Sequence, residues 1–316
     1  MAGEKIIAVT GATGAQAGGL ARAILADPSG GFKVRAITRK PDSDSAKALA
    51  AKGAQVVVAD LDDEKSLEKA FAGAHGAYCL TNFWEHFSGE KEYSQAANLA
   101  KAAKAAGIQH AVWSTFEDTR KWVPLNDNRM PTLQGKYKVA HFDGKADANE
   151  LFSKSGVSTT FFLTTFYWEN LIYFGLGPKK GADGKFAMTY PMGKAKLAGI
   201  AVEDIGKCAY TVFKRGKEFV GKTIGVAGEH LTVAQMCASV SKALGIDVKY
   251  NEVTPAVFRG FGFPGADDVG NMFQIFQEFE KPYGSARSVE FSKTLDPALL
   301  TFDQWLVANK SRIPLE

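Results

Sequence analysis

Apolar positions in the first half of the chain follow two alternating rhythms. Short, nearly continuous apolar runs come at Ile6-Ile7-Ala8-Val9-Thr10, Phe32 to Thr38, Gln55 to Ala59, Gly76 to Leu80, His110 to Ser114 and Thr159 to Leu163. They are too short for helices and rich in β-branched or aromatic residues, which predicts buried strands. Between them lie stretches of helical spacing. Leu20, Ala21, Ile24 and Leu25 share one face, a charged helix runs from about Asp63 to Phe71, and a long Ala/Lys helix runs from about Gly89 to a stop at Gly107. Alternating strand and helix patterns predict an α/β fold, a doubly wound parallel sheet covered on both faces.

The second half is less regular. Gly177 to Gly184 is a turn-rich excursion, and the chain beyond it is rich in Phe and Gly. This predicts a smaller, mostly helical C-terminal lobe, with residues 1–155 as the nucleotide-binding domain and 156–316 carrying the remaining strands interleaved with the lobe. Phe258, Phe261, Phe263, Met272, Phe273, Phe276 and Phe279 have partly helical spacing and are expected mostly in the lobe's core, with a fraction free to wall a hydrophobic pocket or a partner groove. Asp267 and Asp268 are expected to cap and charge a helix start, as are Glu203 and Asp204. The stretch 117–135 is polar, contains Pro124 and Pro131, and reads as an irregular loop.

Composition narrows the function classes. A net charge of +4 over 316 residues, without a basic stripe, argues against direct nucleic-acid binding. No apolar run is long enough to span a bilayer, and Met1-Ala2-Gly3-Glu4 leads straight into the first strand, so a cytoplasmic protein is expected. Cys79, Cys208 and Cys237 are scattered in apolar surroundings and read as buried thiols. No spacing of His, Cys, Asp or Glu suggests a metal site.

The candidate chemistry begins where the first strand meets the first helix. Gly11 allows a tight turn and Gly14 lets a pyrophosphate approach the backbone, while the helix dipole favours an anion there. The spacing is Gly11-x-x-Gly14-x-x-Ala17 rather than G-x-G-x-x-G. The second strand ends in Arg39 and Lys40, where an NAD-preferring site would place an acid. Two cations suit a ribose 2′-phosphate, which points to NADP(H).

Several motifs together resemble the NmrA-like family of atypical short-chain dehydrogenase/reductases, in particular its NADP(H)-binding redox-sensor branch. They are Gly11 to Gln16, Val34 to Arg39, Thr81-Asn82-Phe83-Trp84-Glu85, His141-Phe142-Asp143-Gly144-Lys145, Tyr167-Trp168-Glu169-Asn170, Gly262 to Ala266 and Leu300 to Leu306. The resemblance covers almost the whole chain and implies a Rossmann-type fold. It implies that Gly11, Ala12, Thr13, Gly14, Ala15 and Gln16 hold the pyrophosphate, with Arg39 on the 2′-phosphate. Asp60 and Leu61 would border the adenine. Leu80, Thr81 and Asn82 would line the cofactor's middle, and Tyr167, Trp168, Glu169 and Asn170 would close the nicotinamide end.

Active short-chain reductases use Tyr-x-x-x-Lys. Here the lysine is Lys145 and the position one turn earlier is His141, with Tyr137 a further turn away. Lys145 is expected to bind the ribose, and Ser114 matches the serine that polarises a substrate. His141 either packs or exchanges protons. Two functions stay open: a regulator that senses the NADPH/NADP+ balance and acts on a protein partner, or an NADPH-dependent reductase of a small apolar carbonyl, imine or quinone-like substrate. A second copy of the chain is a further candidate partner.

Overall fold

The computed structural model describes residues 4–315; Met1, Ala2 and Gly3, read above as leading into the first strand, lie outside the described residues, as does Glu316. In chain order the elements begin β1 (Lys5–Thr10), α1 (Ala15–Leu25), β2 (Phe32–Thr38), α2 (Asp44–Ala51), β3 (Gln55–Val58), α3 (Glu64–Phe71) and β4 (Gly76–Cys79). They continue with α4 (Gly89–Ala105), β5 (His110–Thr115), α5 (Ala140–Ser155), β6 (Thr159–Leu163), β7 (Phe166–Tyr167), α6 (Asn170–Tyr173), β8 (Lys179–Lys180), β9 (Phe186–Tyr190) and β10 (Lys196–Ile200). The last are α7 (Val202–Arg215), β11 (Thr223–Gly225), β12 (Glu229–Thr232), α8 (Val233–Leu244), β13 (Val248–Glu252), α9 (Pro255–Arg259), α10 (Ala266–Glu278), α11 (Glu280–Ser285), α12 (Val289–Leu295) and α13 (Phe302–Asn309).

The chain forms two compact units. Among the described residues, the first comprises 4–118, 140–164 and 205–224. Its sheet has the order β11-β6-β5-β4-β1-β2-β3. The six expected strands pair in parallel, with Ile7 beside Val34 on one side and Gly76 on the other. The order reverses between β1 and β4, and such a reversal opens a crevice outside the carboxyl ends of the strands. One side of the core is built from Ala8, Ile37, Leu67, Phe71, Leu99, Trp113 and Phe152, all nearly inaccessible. The small residues Ala96, Ala100 and Ala103 let α4 lie close to this core.

The second unit comprises the described residues 119–139, 165–204 and 225–315. It contains two three-stranded sheets, β12-β10-β7 and β13-β9-β8, and α8 to α13. The loop 117–135 is ordered locally by a 3-10 turn at Thr119–Lys121 and a bridge between Leu133 and Tyr137. Within this unit, Asn271 of α10 donates to the carbonyls of Pro131 and Lys138, and Gln274 to that of Arg129.

One expectation, the cap of α10, is corrected here. Phe258, Phe273 and Phe276 are buried, and Phe261 and Phe263 are the exposed fraction of a cluster expected to be mostly core, because the chain leaves helical geometry after α9. At α10 the cap is Gly265 in the left-handed region, and Asp267 and Asp268 serve only as first-turn charge. The three cysteines are buried, and no helix among the described residues is long and apolar enough to cross a membrane.

His110 begins β5 almost fully buried, with Nε2 2.8 Å from the Thr160 hydroxyl on β6. Burial, with a smaller push from His75, lowers its pKa from 6.5 to about 4. The unfolded chain then takes up a proton that the native ring resists. Stability is full above about pH 6.5 and falls as pH drops toward 4, by up to about 3 kcal/mol from this ring. Urea denaturation of wild type and His110→Asn across that window is expected to show a shallower pH slope in the variant. Equal slopes would remove His110 as the cause.

Candidate functional site

The turn from β1 into α1 is shaped by two glycines. Gly11 has φ +67°, a conformation that side chains disfavour, and its carbonyl accepts from Gly14 N–H at 2.8 Å. Gly14 caps α1 without a side-chain hydrogen bond, and the first helical turn holds no acid, so the positive end of the dipole is not offset locally. Gly11, Gly14 and Ala15 are exposed, Thr13 is half-buried and Ala12 is buried. Ala17, at the third fingerprint position, is inaccessible. The glycines after it have another use: a Cβ on Gly206 of α7 would lie 2.1 Å from the Gly19 carbonyl carbon, so α1 and α7 meet backbone to backbone.

Side chains brace this turn against the sheet. Thr10 Oγ1 accepts from Leu80 N–H at 2.8 Å and lies 3.1 Å from Tyr78 O, tying the ends of β1 and β4 together at the strand reversal. Gln16 Nε2 donates to the Tyr78 hydroxyl at 2.6 Å and to Ser114 Oγ at 2.7 Å. Ser114, the expected substrate-polarising serine, is therefore buried and engaged by Gln16.

At the end of β2, Arg39 and Lys40 are both exposed. The Arg39 guanidinium donates to both oxygens of Glu85, at 2.8 and 2.7 Å. After β3, Asp60 N–H donates to Ser66 Oγ at 3.0 Å and Leu61 O accepts from Asn98 at 2.8 Å, so that loop is held at both residues. Leu80 is half-buried, Thr81 buried and Asn82 exposed after β4. These residues, with Ser114, His141 and Lys145, all belong to the first unit.

Tyr167 to Asn170 belong to the second unit. Trp168 is buried there against Phe302 and Trp305, and Glu169 accepts from Trp305 Nε1 at 2.9 Å and Val202 N–H at 3.1 Å. Burial raises the Glu169 pKa above its ordinary value. Trp168 and Glu169 thus pack their own unit, and Tyr167 and Asn170 are the partly accessible members of the motif.

Lys145 is reached through a close approach of α4 and α5. A Cβ on Gly144 would lie 2.9 Å from the Gly89 carbonyl oxygen, so only glycine fits without a shift. That approach buries Lys145 Nζ 2.6 Å from Glu92 Oε2 on α4. The ammonium also donates to Thr81 O at 3.0 Å and Thr81 Oγ1 at 2.5 Å, and Thr81 Oγ1 donates to Glu92 at 2.6 Å. Lysine has three N–H donors, and these three partners use them all. To hold a ribose, Lys145 would have to release one. Glu92 lies in the first turn of α4, after the Ser88 cap, where the helix dipole supports its charge. His86 faces the same carboxylate. Its Nδ1 accepts from Ser88 N–H, which leaves the neutral ring's proton on Nε2, 3.6 Å from Glu92 Oε1.

His141 is buried in a nest of rings, with centroids 4.9 Å from Trp84, 5.7 Å from Phe83, 6.0 Å from Phe116 and 4.6 Å from Phe142. Tyr137 is not one turn further along the same helix: α5 begins at Ala140, and Tyr137 is buried in the second unit, its backbone paired with Leu133. No group of three or more His, Cys, Asp or Glu among the described residues could hold a metal ion. Reading the sequence missed Glu92, and it named Glu85 only as part of the Thr81–Glu85 motif, without a partner. An acid in a helix's first turn normally reads as a solvated dipole partner, and only the glycine contact between helices reveals Glu92's burial.

Known proteins resemble the chain over most of its length. The NmrA-like family model matches residues 3–306. The NmrA-like family domain-containing oxidoreductase FrzB of Cladobotryum sp is 28% identical over 286 residues, 86% of this chain and 84% of the relative. The oxidoreductase lnbB of Aspergillus flavus is 29% identical over 296 residues, 87% of this chain and 84% of the relative. Among solved structures, the negative transcriptional regulator NmrA in complex with NADP has a TM-score of 0.77 at 25% identity, covering 96% of this chain and 94% of that one. The Citrobacter sp. triphenylmethane reductase complexed with NADP(H) has a TM-score of 0.74 at 18% identity, covering 97% of this chain and 99% of that one.

Two substitutions test the helix contact. Glu92→Leu removes the charge that offsets a buried ammonium and is expected to cost about 3–5 kcal/mol of stability by denaturant unfolding. Gly144→Ala forces α5 away from Gly89 and is expected to cost about 1–3 kcal/mol. A neutral result for both would mean that α4 and α5 are not held by this contact.

Proposed function

This chain belongs to the NmrA-like family, and from that premise we propose that it binds NADP(H) in the crevice beside β1 and responds to the cofactor's redox state by altering its hold on a protein partner, rather than by running an efficient reduction. The residues present fit the cofactor. An exposed glycine turn, a helix N-terminus free of first-turn acids and an exposed guanidinium lie at the ends of β1 and β2. NADP accompanies the related regulator NmrA, which supports the same assignment here.

The observation that carries the regulatory reading is the state of the catalytic positions. Where an active short-chain reductase holds a tyrosine one turn before its lysine, this chain holds His141 packed among four rings. Lys145 has its donors on Glu92 and Thr81, and the Ser114 hydroxyl is engaged by Gln16. In this reading Lys145 is a positioning residue: it fixes the Thr81 backbone at the end of β4, on the floor of the crevice. Arg39 and Lys40 grip the 2′-phosphate, and Gly11 to Gln16 cradle the diphosphate.

A second reading, an NADPH-dependent oxidoreductase of a small apolar substrate, is favoured by the naming of the relatives FrzB and lnbB as oxidoreductases. NADPH absorbance with a panel of carbonyl and quinone acceptors separates the two. Cofactor binding without turnover supports regulation, and turnover lost on His141→Ala supports the enzyme.

Arg39→Ala tests the cofactor assignment. Losing a charge-assisted contact to phosphate is expected to weaken NADPH binding at least about tenfold by calorimetry while NADH binding changes less than about twofold. Equal losses for both cofactors would take the 2′-phosphate off Arg39.

A further inference from the structure

The guanidinium assigned to the 2′-phosphate already has a partner. Arg39 comes directly after β2, and Glu85 ends the 3-10 turn Phe83–Glu85 beyond β4. β1, with its glycine turn, lies between those two strands in the sheet. One Arg39 nitrogen donates to both Glu85 oxygens, and both side chains are about half exposed. Among the described residues neither side chain has another hydrogen-bond or ion-pair partner.

We propose that Glu85 is an internal competitor for the 2′-phosphate, one that occupies Arg39 until a phosphate displaces it and so sets how strongly the protein prefers NADP(H) over NAD(H). The proposal rests on the assignment of Arg39 given above. Its physical basis is a matching of groups. A carboxylate and a phosphate monoester present the same paired-oxygen edge to a guanidinium, so they compete for the same donors. The phosphate carries close to two negative charges at neutral pH and the carboxylate one, which favours exchange toward phosphate. An exposed pair contributes little stability, so it opens readily. The 2′-hydroxyl of NAD(H) cannot displace a carboxylate, and with that cofactor the Arg39–Glu85 pair persists. Glu85 therefore lowers affinity for NADP(H) alone, through the pair that must break before the phosphate can take the guanidinium.

The test is a double-mutant cycle read by calorimetry with NADPH and NADH on the full chain. Glu85→Gln keeps the side chain's size and removes its charge. It is expected to tighten NADPH binding about two- to fivefold and to leave NADH binding within about 1.5-fold. In the Arg39→Ala background the same change is expected to leave NADPH affinity unaltered, because the competition has lost its object. NADPH affinity unchanged or weakened by Glu85→Gln in an otherwise intact protein would overturn the competition. So would an equal gain for NADPH and NADH, which would mark Glu85 as an obstacle to any dinucleotide. Wild-type protein that binds no NADPH would overturn the cofactor assignment itself, and this proposal with it.

Discussion

The Lys145 ammonium and the Glu92 carboxylate lie buried together, 2.6 Å apart, and neither charge would be tolerable there alone. Their meeting depends on two residues that lack side chains. Gly144 on α5 and Gly89 on α4 let the helices approach until a Cβ would strike a carbonyl oxygen. From this contact the ammonium reaches Thr81, which stands just past β4 at the strand reversal. The inner wall of the crevice is thus set by a helix–helix contact on one face of the sheet. α5 is anchored in turn on β5 by the hydrogen bond from Trp113 Nε1 to Asn149 and by the stacking of Trp113 on Phe152.

The same arrangement changes what Lys145 can do chemically. An ammonium with three protein acceptors and a carboxylate beside it is a structural cross-link as much as a ligand for a ribose. His141, in the place of the usual phenol, is enclosed by rings that favour an apolar packing partner. Gln16 connects Tyr78 and Ser114 in a hydrogen-bonded chain behind the glycine turn.

Much of the first unit was legible in the sequence, because its signals are local. Six contiguous apolar runs marked six strands, and Gly11 marked a turn that needs positive φ. What was not legible depends on neighbours distant in the chain. Glu92 looks like any first-turn acid until Gly89 and Gly144 are seen in contact. Glu85 stands 46 positions from Arg39, and no periodicity links them. In the second unit, Phe261 and Phe263 continue an aromatic pattern that the break after α9 turns outward. Gly265 takes the cap that Asp267 and Asp268 advertise, because a left-handed residue reaches that corner more easily than an aspartate.

The proposed role depends on two assignments: Arg39 as the partner of the cofactor's extra phosphate, and Lys145 as a residue that stays with Glu92 and Thr81 when the cofactor binds. A crystal structure of the protein grown with NADP+ tests both at once. The 2′-phosphate is expected within hydrogen-bond distance of Arg39, with Lys145 Nζ still on Glu92 and the Thr81 carbonyl. A phosphate lying away from Arg39, or a Lys145 turned from Glu92 onto the ribose, would contradict them.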